Sequence, residues 1–372
     1  MPSRILHIIS FDNPFRPIYG GTIEVFSKLK PLHDLEIQIH LHCFVEKIPT
    51  TQETETYCAA VYYYKNSRSR LDLFSKLPFS VRSRQDKKLL ANLEAIDAPI
   101  LFESLKTTCL VYQDQLAKRR KILRFHNIEH LYFEGIAASE KNLLRKLVFK
   151  WEAFKYKGYE KILSRFDRIA ALSHYENNYV NSHFGNSTYI PVFHGNEKVS
   201  NLDGIGKYAL YHGDLRMSDN KRVAENLIEV FREIPDVELV IAAGAAFEDY
   251  FTKRIKGLNH IKYVTLKDFA HLKQLINDSH INLVFSYQKS GTKLKLMNAL
   301  FYGRFCIIND NIMDDPKIQP LCEIANTNQA IIDQVNRLKH ISYHGYAQRQ
   351  QLLETHMSDY KNAQTLVDLI FG

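Results

Sequence analysis

The stretch over residues 290–300 combines the residue types that bind an anion at the start of a helix. It follows an apolar run over 281–285 that predicts a β-strand, and it opens with serine, glycine and threonine before two lysines. Backbone N–H groups in the first turn of a helix lack intrahelical partners and can bind phosphate oxygens, and lysine adds a compact positive charge. The candidate anion-binding residues are Ser290, Gly291, Thr292, Lys293 and Lys295, with Asn298 one turn further on and able to bond ribose hydroxyls. The alternative is a solvated helix start that carries lysines.

Side chains that can move a proton or hold a hydroxyl group follow two other apolar runs. Glu103 comes directly after the run over 100–102, and His126 comes directly after the run over 122–125. Ligands of open α/β sheets bind beyond the carboxyl ends of the strands, which is where these residues are expected. His126 and Glu103 are therefore candidate catalytic residues, with Glu129 as a further one, and Lys295 is also a catalytic candidate through its positive charge. A buried histidine with satisfied hydrogen bonds is the alternative interpretation of His126.

Glycines follow the first predicted strand of each half of the chain. Gly20 and Gly21 precede Thr22, whose hydroxyl can cap a helix, and Gly213 follows the apolar run over 208–212. Glycine lets the backbone approach a ligand closely, so the three glycines are candidate ligand-binding positions. A tight turn with a helix cap, or an ordinary strand–helix junction, would use the same residues.

These candidates need strands that bring their ends to one edge of a sheet, and the sequence has that rhythm. Short β-branched runs alternate with longer amphipathic stretches, which is typical of parallel sheets covered by helices. Strands are predicted over 5–10, 37–44, 59–64, 100–102, 122–125, 168–172, 187–190, 208–212, 237–243, 261–264, 281–285 and 305–308, with a weaker one over 322–324. Helices are predicted over 221–234, 267–277, 328–338, 345–356 and 358–371. The aperiodic, glycine-containing stretch 191–207 predicts a linker between two similar sheets.

Length and charge predict a two-domain protein with anionic partners. The 372 residues exceed what one core usually supports, and the formal net charge of +8 favours phosphates, nucleic acid or an anionic membrane face. The sequence contains no nucleic-acid-binding module, so nucleic acid is not an expected partner. Five scattered cysteines and the lack of an apolar run of about 20 residues favour a cytoplasmic location. No metal-binding motif is present, so no metal is expected.

The segment over 141–165 mixes lysines and arginines with large apolar residues. A basic amphipathic helix of this kind can rest on the anionic face of a membrane. The favoured interpretation is an ordinary apolar stripe that faces the core, with the lysines solvated.

Three stretches resemble the GT-B glycosyltransferases, and within them the retaining family-4 type (glycosyltransferase group 1). They are the first strand with Gly20 and Gly21, the run over 208–215 with Asn220, and the helix that leads from Lys295 to Gly303. The resemblance implies an α/β fold of two Rossmann-like, doubly wound domains that face each other across a cleft.

The resemblance also implies a division of the chain. The N-terminal Rossmann-like domain over 1–192 would bind the acceptor, and the C-terminal Rossmann-like domain over 193–356 would bind the nucleotide-sugar donor. The last segment, 357–372, would be a helix that crosses back to the N-terminal domain.

The family pattern further assigns roles to individual residues. A histidine at a strand end of the acceptor domain lies near the transferred sugar in such enzymes, and His126 matches it. Two family glutamates lie beside the donor, and Ser290 and Asn298 stand at their positions. Asp214 stands where many relatives carry an arginine. The positive charge that faces the diphosphate would then come from Lys293, Lys295 or Arg216.

Together these features predict a hexosyltransferase-type enzyme of surface polysaccharide or glycoconjugate synthesis. As the resemblance implies, it would move a sugar from a nucleotide-sugar to a glycan or lipid-linked acceptor with retention of configuration; no metal or cofactor is expected. Its expected location is the cytoplasm, with peripheral contact at the inner membrane face as a further option. Two alternatives stay open: a catalytically silent GT-B scaffold in a glycan-assembly complex, and a GT-B sugar-nucleotide epimerase.

Overall fold

The chain folds into two compact units. The computed structural model describes residues 4–15, 17, 19–49, 56–67, 69, 72, 75–290 and 294–372. One unit comprises Met1–Gly195, Ser290–Thr292 and Met357–Gly372, and the other comprises Asn196–Lys289 and Lys293–His356. Each unit is built around one sheet.

Every strand pair in the two sheets is parallel. The first sheet contains β1 (Arg4–Ser10), β2 (Ile37–Val45), β3 (Ala60–Lys65), β4 (Ile100–Glu103), β5 (Lys121–Phe125), β6 (Arg168–Ala171) and β7 (Ser187–Tyr189). The second sheet contains β8 (Ala209–His212), β9 (Leu239–Ala243), β10 (Ile261–Thr265), β11 (Ile281–Val284), β12 (Phe305–Ile308) and β13 (Glu323–Ile324). All predicted strands are present, with small shifts at their ends.

Helices connect the strands. They are α1 (Gly20–Asp34), α2 (Phe79–Arg82), α3 (Lys87–Glu94), α4 (Glu129–Ser139), α5 (Leu143–Tyr159), α6 (His174–His183), α7 (Ser218–Phe231), α8 (Glu248–Arg254), α9 (Phe269–Asp278), α10 (Leu294–Tyr302), α11 (Asn328–Leu338), α12 (Tyr346–His356) and α13 (Asp359–Phe371). Short 3₁₀ turns lie at Leu105–Leu110, Asp114–Leu116, Glu160–Arg165, Ala245–Phe247 and Gln319–Leu321.

The first sheet is buried on both faces, in the order β3-β2-β1-β4-β5-β6-β7. Successive residues of β4 point to opposite sides, so Phe102 packs in one core and Leu101 in the other. The core around Leu101 also contains Leu366 and Ile370 of α13, which explains the apolar stripe at the end of the chain. Cores on both faces make this unit a doubly wound, Rossmann-like fold, as the sequence predicts.

A carboxylate at the start of α13 adds hydrogen bonds to the apolar packing of this helix on the first unit. Asp359 accepts hydrogen bonds from the backbone N–H groups of His194 (3.1 Å) and Gly195 (2.8 Å). Gly195 has a φ of +75°, a conformation that glycine adopts without strain. The first unit therefore extends to Gly195, beyond the predicted domain end at residue 192, and it includes α13.

The second sheet has the order β10-β9-β8-β11-β12-β13 and repeats the same architecture. Its main core packs Leu227 of α7 and Ile331 of α11 against Ile241 and Leu283 of the sheet. Continuous apolar strands and covering helices confirm the predicted second α/β unit.

Helix α5 differs from its predicted packing. The expectation of an ordinary core-facing stripe is wrong for most of its length, because its large apolar side chains are exposed. These are Leu143, Leu144, Leu147, Val148, Trp151 and Phe154. The helix instead buries Tyr156, whose ring stacks on Phe133 of α4 with centroids 5.4 Å apart. In the described part of the chain, no helix has the length and apolar character that a membrane crossing requires.

Candidate functional site

Each sheet has one point at which the strand order reverses. In the first sheet this point lies between β1 and β4, and in the second it lies between β8 and β11. The loops that leave the two strands diverge there, so ligands of doubly wound folds bind beyond the carboxyl ends of these strands. Both units carry charged side chains at this point.

In the first unit, five buried side chains form one hydrogen-bonded cluster, which we name the His126 cluster. Its members are Glu24 and Lys28 of α1, Glu103 of β4, Arg124 of β5 and His126. The Lys28 ammonium lies 2.8 Å from Glu24 Oε2 and 2.5 Å from Glu103 Oε1. Arg124 Nε donates to Glu24 Oε1 at 2.9 Å, and His126 Nε2 lies 2.9 Å from Glu103 Oε2. The order Arg124, Glu24, Lys28, Glu103 alternates positive and negative charge.

Alternating charges allow ionised groups to stay buried in this cluster. Burial alone would raise the pKa of Glu24, but Lys28, Arg124 and His126 outweigh it and hold that pKa at about 2. The Arg124 guanidinium is also fixed by the carbonyls of Ile190 and Pro191, each at 2.8 Å. The cluster is therefore rigid and charge-balanced before any ligand binds.

His126 is the outermost member of the cluster, and its ring is oriented by Glu103. A carboxylate only accepts hydrogen bonds, so Nε2 carries the proton in this contact. With the proton on Nε2, Nδ1 is the other ring nitrogen, and it has no hydrogen-bond partner among the described residues. The ring packs edge-on against Phe11, with centroids 5.6 Å apart. The structure thus brings together two of the three predicted catalytic residues, His126 and Glu103.

The same cluster contains the atoms of a potential metal site. Glu24, Glu103 and His126 each offer one ligand atom, and these atoms lie within 4.8 Å of one another. The Lys28 ammonium already bonds both carboxylates, so a divalent cation would have to displace it. The ligand atoms suit a cation, but the negative charge of the two carboxylates is already compensated by Lys28.

The residue after Glu103 has a strained backbone. Ser104 has φ +67° and ψ 157°, a region used almost only by glycine. Its hydroxyl donates to Glu129 Oε1 at 3.1 Å. The other oxygen, Glu129 Oε2, is buried and has no hydrogen-bond partner in the described part of the structure. Glu129, the further candidate from the sequence, thus lies beside the His126 cluster at the first residue of α4.

The predicted glycine turn before α1 is wrong in its details. Gly20 and Gly21 form the first turn of the helix itself, and Tyr19 is the extended residue before it. Thr22 does not cap from outside the helix, because its hydroxyl bonds the backbone N–H and C=O of Tyr19 from the third helical position. A Cβ at Gly21 would lie 2.7 Å from the Phe11 ring, so a larger residue there would force this ring to shift.

In the second unit, Lys295 occupies the point where the strand order reverses. Its ammonium donates to Asn220 Oδ1 (3.1 Å), after β8, and to the carbonyl of Phe285 (3.0 Å), after β11. It also lies 5.3 Å from the centre of the Tyr211 ring. We name Asn220, Phe285 and Lys295 the Lys295 site. Burial and then the Lys295 charge lower the pKa of His212 to about 3, so this neighbouring histidine is neutral.

Two other predicted donor residues lie near the Lys295 site. Gly213 packs against Asn220, where an added Cβ would make an ordinary contact of 3.4 Å, so close approach does not require glycine. Arg216 is paired with Asp214, its Nη2 lying 2.8 Å from Asp214 Oδ2. The positive charge of Arg216 is therefore compensated by the Asp214 carboxylate.

The predicted helix start over residues 290–293 lies mostly outside the described residues. Helix α10 begins at Leu294 in the described residues, and Ser290 belongs to the first unit. The Ser290 hydroxyl donates to Glu176 Oε1 (2.8 Å) and accepts from the N–H of Ile128 (2.9 Å). Gly291, Thr292 and Lys293 lie outside the described residues. Asn298 is on α10 as predicted, and its Oδ1 accepts a hydrogen bond from Asn196 at 3.1 Å.

A pocket that the sequence did not suggest lies beside the Lys295 site. It has a volume of about 80 Å³ and opens beyond the ends of β11, β12 and β13. Its lining includes Phe285, which it shares with the Lys295 site, and Tyr287. Amide and hydroxyl side chains supply its polar groups, namely Asn226, Ser286, Asn309, Asn326, Thr327 and Asn328. Groups of this kind can bond a base or a sugar hydroxyl without charge.

Sequence analysis also missed the buried half of the His126 cluster. Glu24 and Lys28 are four residues apart on α1, a spacing that places them on one face of a helix. Arg124 interrupts an otherwise apolar strand end. A buried arginine in a strand requires an acidic partner, and this signal could have identified the cluster.

The chain has the GT-B fold. Solved structures that it resembles along nearly its whole length are GT-B glycosyltransferases. Sucrose-phosphate synthase from Thermosynechococcus elongatus matches with a TM-score of 0.65 and 15% identity, covering 99% of this chain and 96% of that one. The lipopolysaccharide outer core galactosyltransferase WaaB matches with a TM-score of 0.63 and 14% identity, covering 98% and 99%. The Anabaena protein HepE in complex with UDP-glucose matches with a TM-score of 0.58 and 13% identity, covering 99% and 95%.

A curated protein of Klebsiella pneumoniae is similar to this chain in sequence. It is described as an uncharacterized 44.6 kDa protein in the cps region, and it is 26% identical over 322 residues, which is 81% of each chain. No protein-family model matches the chain.

Proposed function

We propose that this protein is a glycosyltransferase that moves a sugar from a nucleotide-sugar to a glycan or lipid-linked acceptor in surface polysaccharide or glycoconjugate synthesis. The observation that carries the proposal is the Lys295 ammonium, fixed at the carboxyl ends of β8 and β11. This is the position at which a doubly wound sheet binds a nucleotide. The fold shared with glycosyltransferases and the cps-region relative support the same function.

Lys295 would act on the leaving group. Departure of a nucleoside diphosphate builds negative charge on its β-phosphate, and a cation already in place stabilises that charge without reorganisation. His212 beside it is neutral, so Lys295 supplies the fixed positive charge of this site. The Lys295 ammonium would serve here in place of a metal ion. The adjoining pocket, with its amide groups and Tyr287, would hold the nucleoside.

His126 would act on the sugar or the acceptor. Its Nδ1 would accept a hydrogen bond from a hydroxyl group, while Glu103 fixes the ring through Nε2. When the ring takes up a proton, the Glu103 carboxylate stabilises the resulting imidazolium, as in other carboxylate–histidine pairs. Retention of configuration at the sugar remains a prediction of the family resemblance.

A silent scaffold is the second candidate function, and one observation favours it. Ser290 stands at a position where the family carries a glutamate, and its hydroxyl is engaged with Glu176 and Ile128. Asn298, at the second glutamate position, already accepts from Asn196. Such a protein would keep the fold and the Lys295 charge but transfer no sugar.

The test is incubation with radiolabelled UDP-, GDP-, ADP-, dTDP- and CMP-sugars, with and without a bacterial lipid extract and a glycan array as acceptors. A transferase releases the nucleotide and places label on an acceptor, and it does so equally in EDTA. Label that stays on the nucleotide with an altered sugar would indicate an epimerase. Nucleotide binding without any turnover would support the silent scaffold.

A further inference from the structure

Helix α5 exposes a continuous row of large apolar side chains, which we name the α5 apolar face. Its members, with their exposed fractions, are Leu143 (76%), Leu144 (76%), Leu147 (63%), Val148 (42%), Trp151 (47%) and Phe154 (67%). The spacing places them along one side of the helix over three turns. Trp151 and Phe154 stack with ring centroids 5.5 Å apart. Single exposed apolar residues are common, but a cluster of six on one helix marks an interaction surface.

The opposite side of α5 is firmly packed, so the orientation of the helix is fixed. Tyr156 and Tyr159 are buried in the core of the first unit. Glu152 is buried as well, and it accepts a hydrogen bond from the N–H of Phe79 at 2.9 Å while pairing with Lys155. Rotating the helix to bury the apolar face would break these contacts. The apolar face therefore stays directed towards solvent in the isolated chain.

The charges along the apolar face are mainly positive, and Glu140, the acid just before it, accepts a hydrogen bond from the Asn142 N–H at 2.9 Å. Residues 141–157 contain one acidic side chain, Glu152, and that carboxylate is buried with its partner Lys155. The remaining charged side chains of the segment are all basic. They are Lys141, Arg145, Lys146, Lys150 and Lys157. An apolar face edged by five basic groups complements a surface that is apolar inside and anionic outside.

We propose that the α5 apolar face rests on the surface of an anionic lipid bilayer. Trp151, Phe154 and the leucines would enter the boundary between headgroups and acyl chains, and the basic residues would contact the phosphates. A symmetric dimer through this face would place the same five positive charges opposite each other, which opposes self-association. The amphipathic packing makes α5 lie along the membrane surface without crossing it.

The docked helix is joined closely to the His126 cluster. Helix α4 begins at Glu129, three residues after His126, and leads directly into α5 through residues 140–142. Docking would thus hold the first unit at the membrane through the hairpin that follows β5. If the proposed function holds, this arrangement suits an acceptor anchored in lipid; the docking itself does not depend on that activity.

The test is co-sedimentation of the full chain with vesicles of phosphatidylcholine alone or mixed with phosphatidylglycerol. Wild-type protein is expected to bind the anionic vesicles, and binding should fall as salt is raised. The vesicle affinity of the triple variant Leu147→Ser, Trp151→Ser, Phe154→Ser should be lower by a factor of roughly ten or more, because the apolar area is lost. The pair Lys146→Gln, Lys150→Gln should weaken binding to anionic vesicles only.

The matched control is Phe269→Ser, which removes an exposed aromatic side chain from α9 in the second unit. It should leave vesicle binding unchanged, and equal thermal midpoints would show that all variants fold. Equal binding by the wild type and the triple variant would overturn the proposal. The proposal would also be overturned if the wild type does not bind anionic vesicles but forms a dimer on gel filtration, and Trp151→Ser abolishes that dimer.

Discussion

His126 and Glu103 are joined by a buried hydrogen bond of 2.9 Å between Nε2 and Oε2. The two residues belong to neighbouring parallel strands, because Glu103 ends β4 and His126 follows β5. Glu103 is in turn held by the Lys28 ammonium on its other oxygen, at 2.5 Å. Glu103 thus fixes the tautomer of His126, and Lys28 fixes the position of the Glu103 carboxylate.

Replacing His126 by alanine should reduce turnover about 100-fold or more, the typical contribution of a positioned acid–base group. Nucleotide affinity should stay unchanged, because the proposed nucleotide site is in the second unit. The measurement is kcat with the donor identified by the sugar-nucleotide panel. His183→Ala is the control, since this histidine is exposed at the end of α6. Equal turnover by the two variants would remove His126 from the reaction.

Replacing Lys28 by methionine should destabilise the first unit by about 3–5 kcal/mol, because two buried carboxylates lose their shared cation. Lys30→Met is the matched control on the same helix. Lys30 pairs with Asp34 at 3.1 Å on the surface, and its loss should change the free energy of unfolding by no more than about 0.5 kcal/mol. Urea unfolding of both variants measures the difference. Similar losses would show that the cluster is not charge-coupled.

Much of the fold was predictable, because β-branched runs alternate with amphipathic stretches along the sequence. β-branched runs such as the one at β9 are buried on both sides, so their apolar character does not depend on distant residues. The His126 cluster was only half predictable. Glu103 and His126 follow strands, whereas Glu24 and Lys28 reach the same point from α1 through tertiary packing that no local pattern records.

Stability should fall as the pH is lowered from about 7 to 4. Burial is the largest cause that lowers the pKa of His7 to about 4, and burial also holds the pKa of His42 well below its usual 6.5. Their rings bond each other at 3.0 Å between His7 Nδ1 and His42 Nε2. The unfolded chain takes up these protons near pH 6.5 and the folded chain does not. Each histidine therefore lowers stability by up to about 1.4 kcal/mol per pH unit in this window.

Thermal midpoints measured against pH test this expectation, and His7→Gln should make the decline between pH 6.5 and 4 shallower. The pKa of Glu24, about 2, adds a separate loss that begins only below about pH 4.5. A constant midpoint from pH 7 to 5 would show that the buried histidines do not control acid stability.

Ser104→Gly should be more stable than Ser104→Ala by about 1 kcal/mol or more. Both variants remove the hydroxyl that bonds Glu129, so the comparison isolates the backbone conformation. At φ +67° and ψ 157° alanine keeps the strain and glycine relieves it. Denaturant midpoints of the two variants give the difference. Identical midpoints would mean that residue 104 relaxes when its hydroxyl is removed.

The anion site could be predicted only in part, since a favourable local sequence does not fix where each side chain binds. Lys295 reaches the end of β11 as its spacing suggests. Ser290, five residues earlier, instead bonds Glu176, a partner 114 positions away in the chain. The exposed face of α5 was misinterpreted because core-facing and solvent-exposed apolar stripes have the same periodicity.

The most direct test is calorimetric titration of UDP, GDP, ADP, dTDP and CMP into wild type, Lys295→Ala and Lys207→Ala. Lys207 lies just before the amino-terminal end of β8, at the other end of the strands from Lys295, and pairs with Asp278 at 3.3 Å. We expect one nucleotide to bind the wild type and Lys207→Ala with equal affinity. Its affinity for Lys295→Ala should be lower by a factor of about ten or more, because a charge-assisted hydrogen bond is lost. Binding of no nucleotide to the wild type, or equal affinity in all three proteins, would contradict a donor site at Lys295.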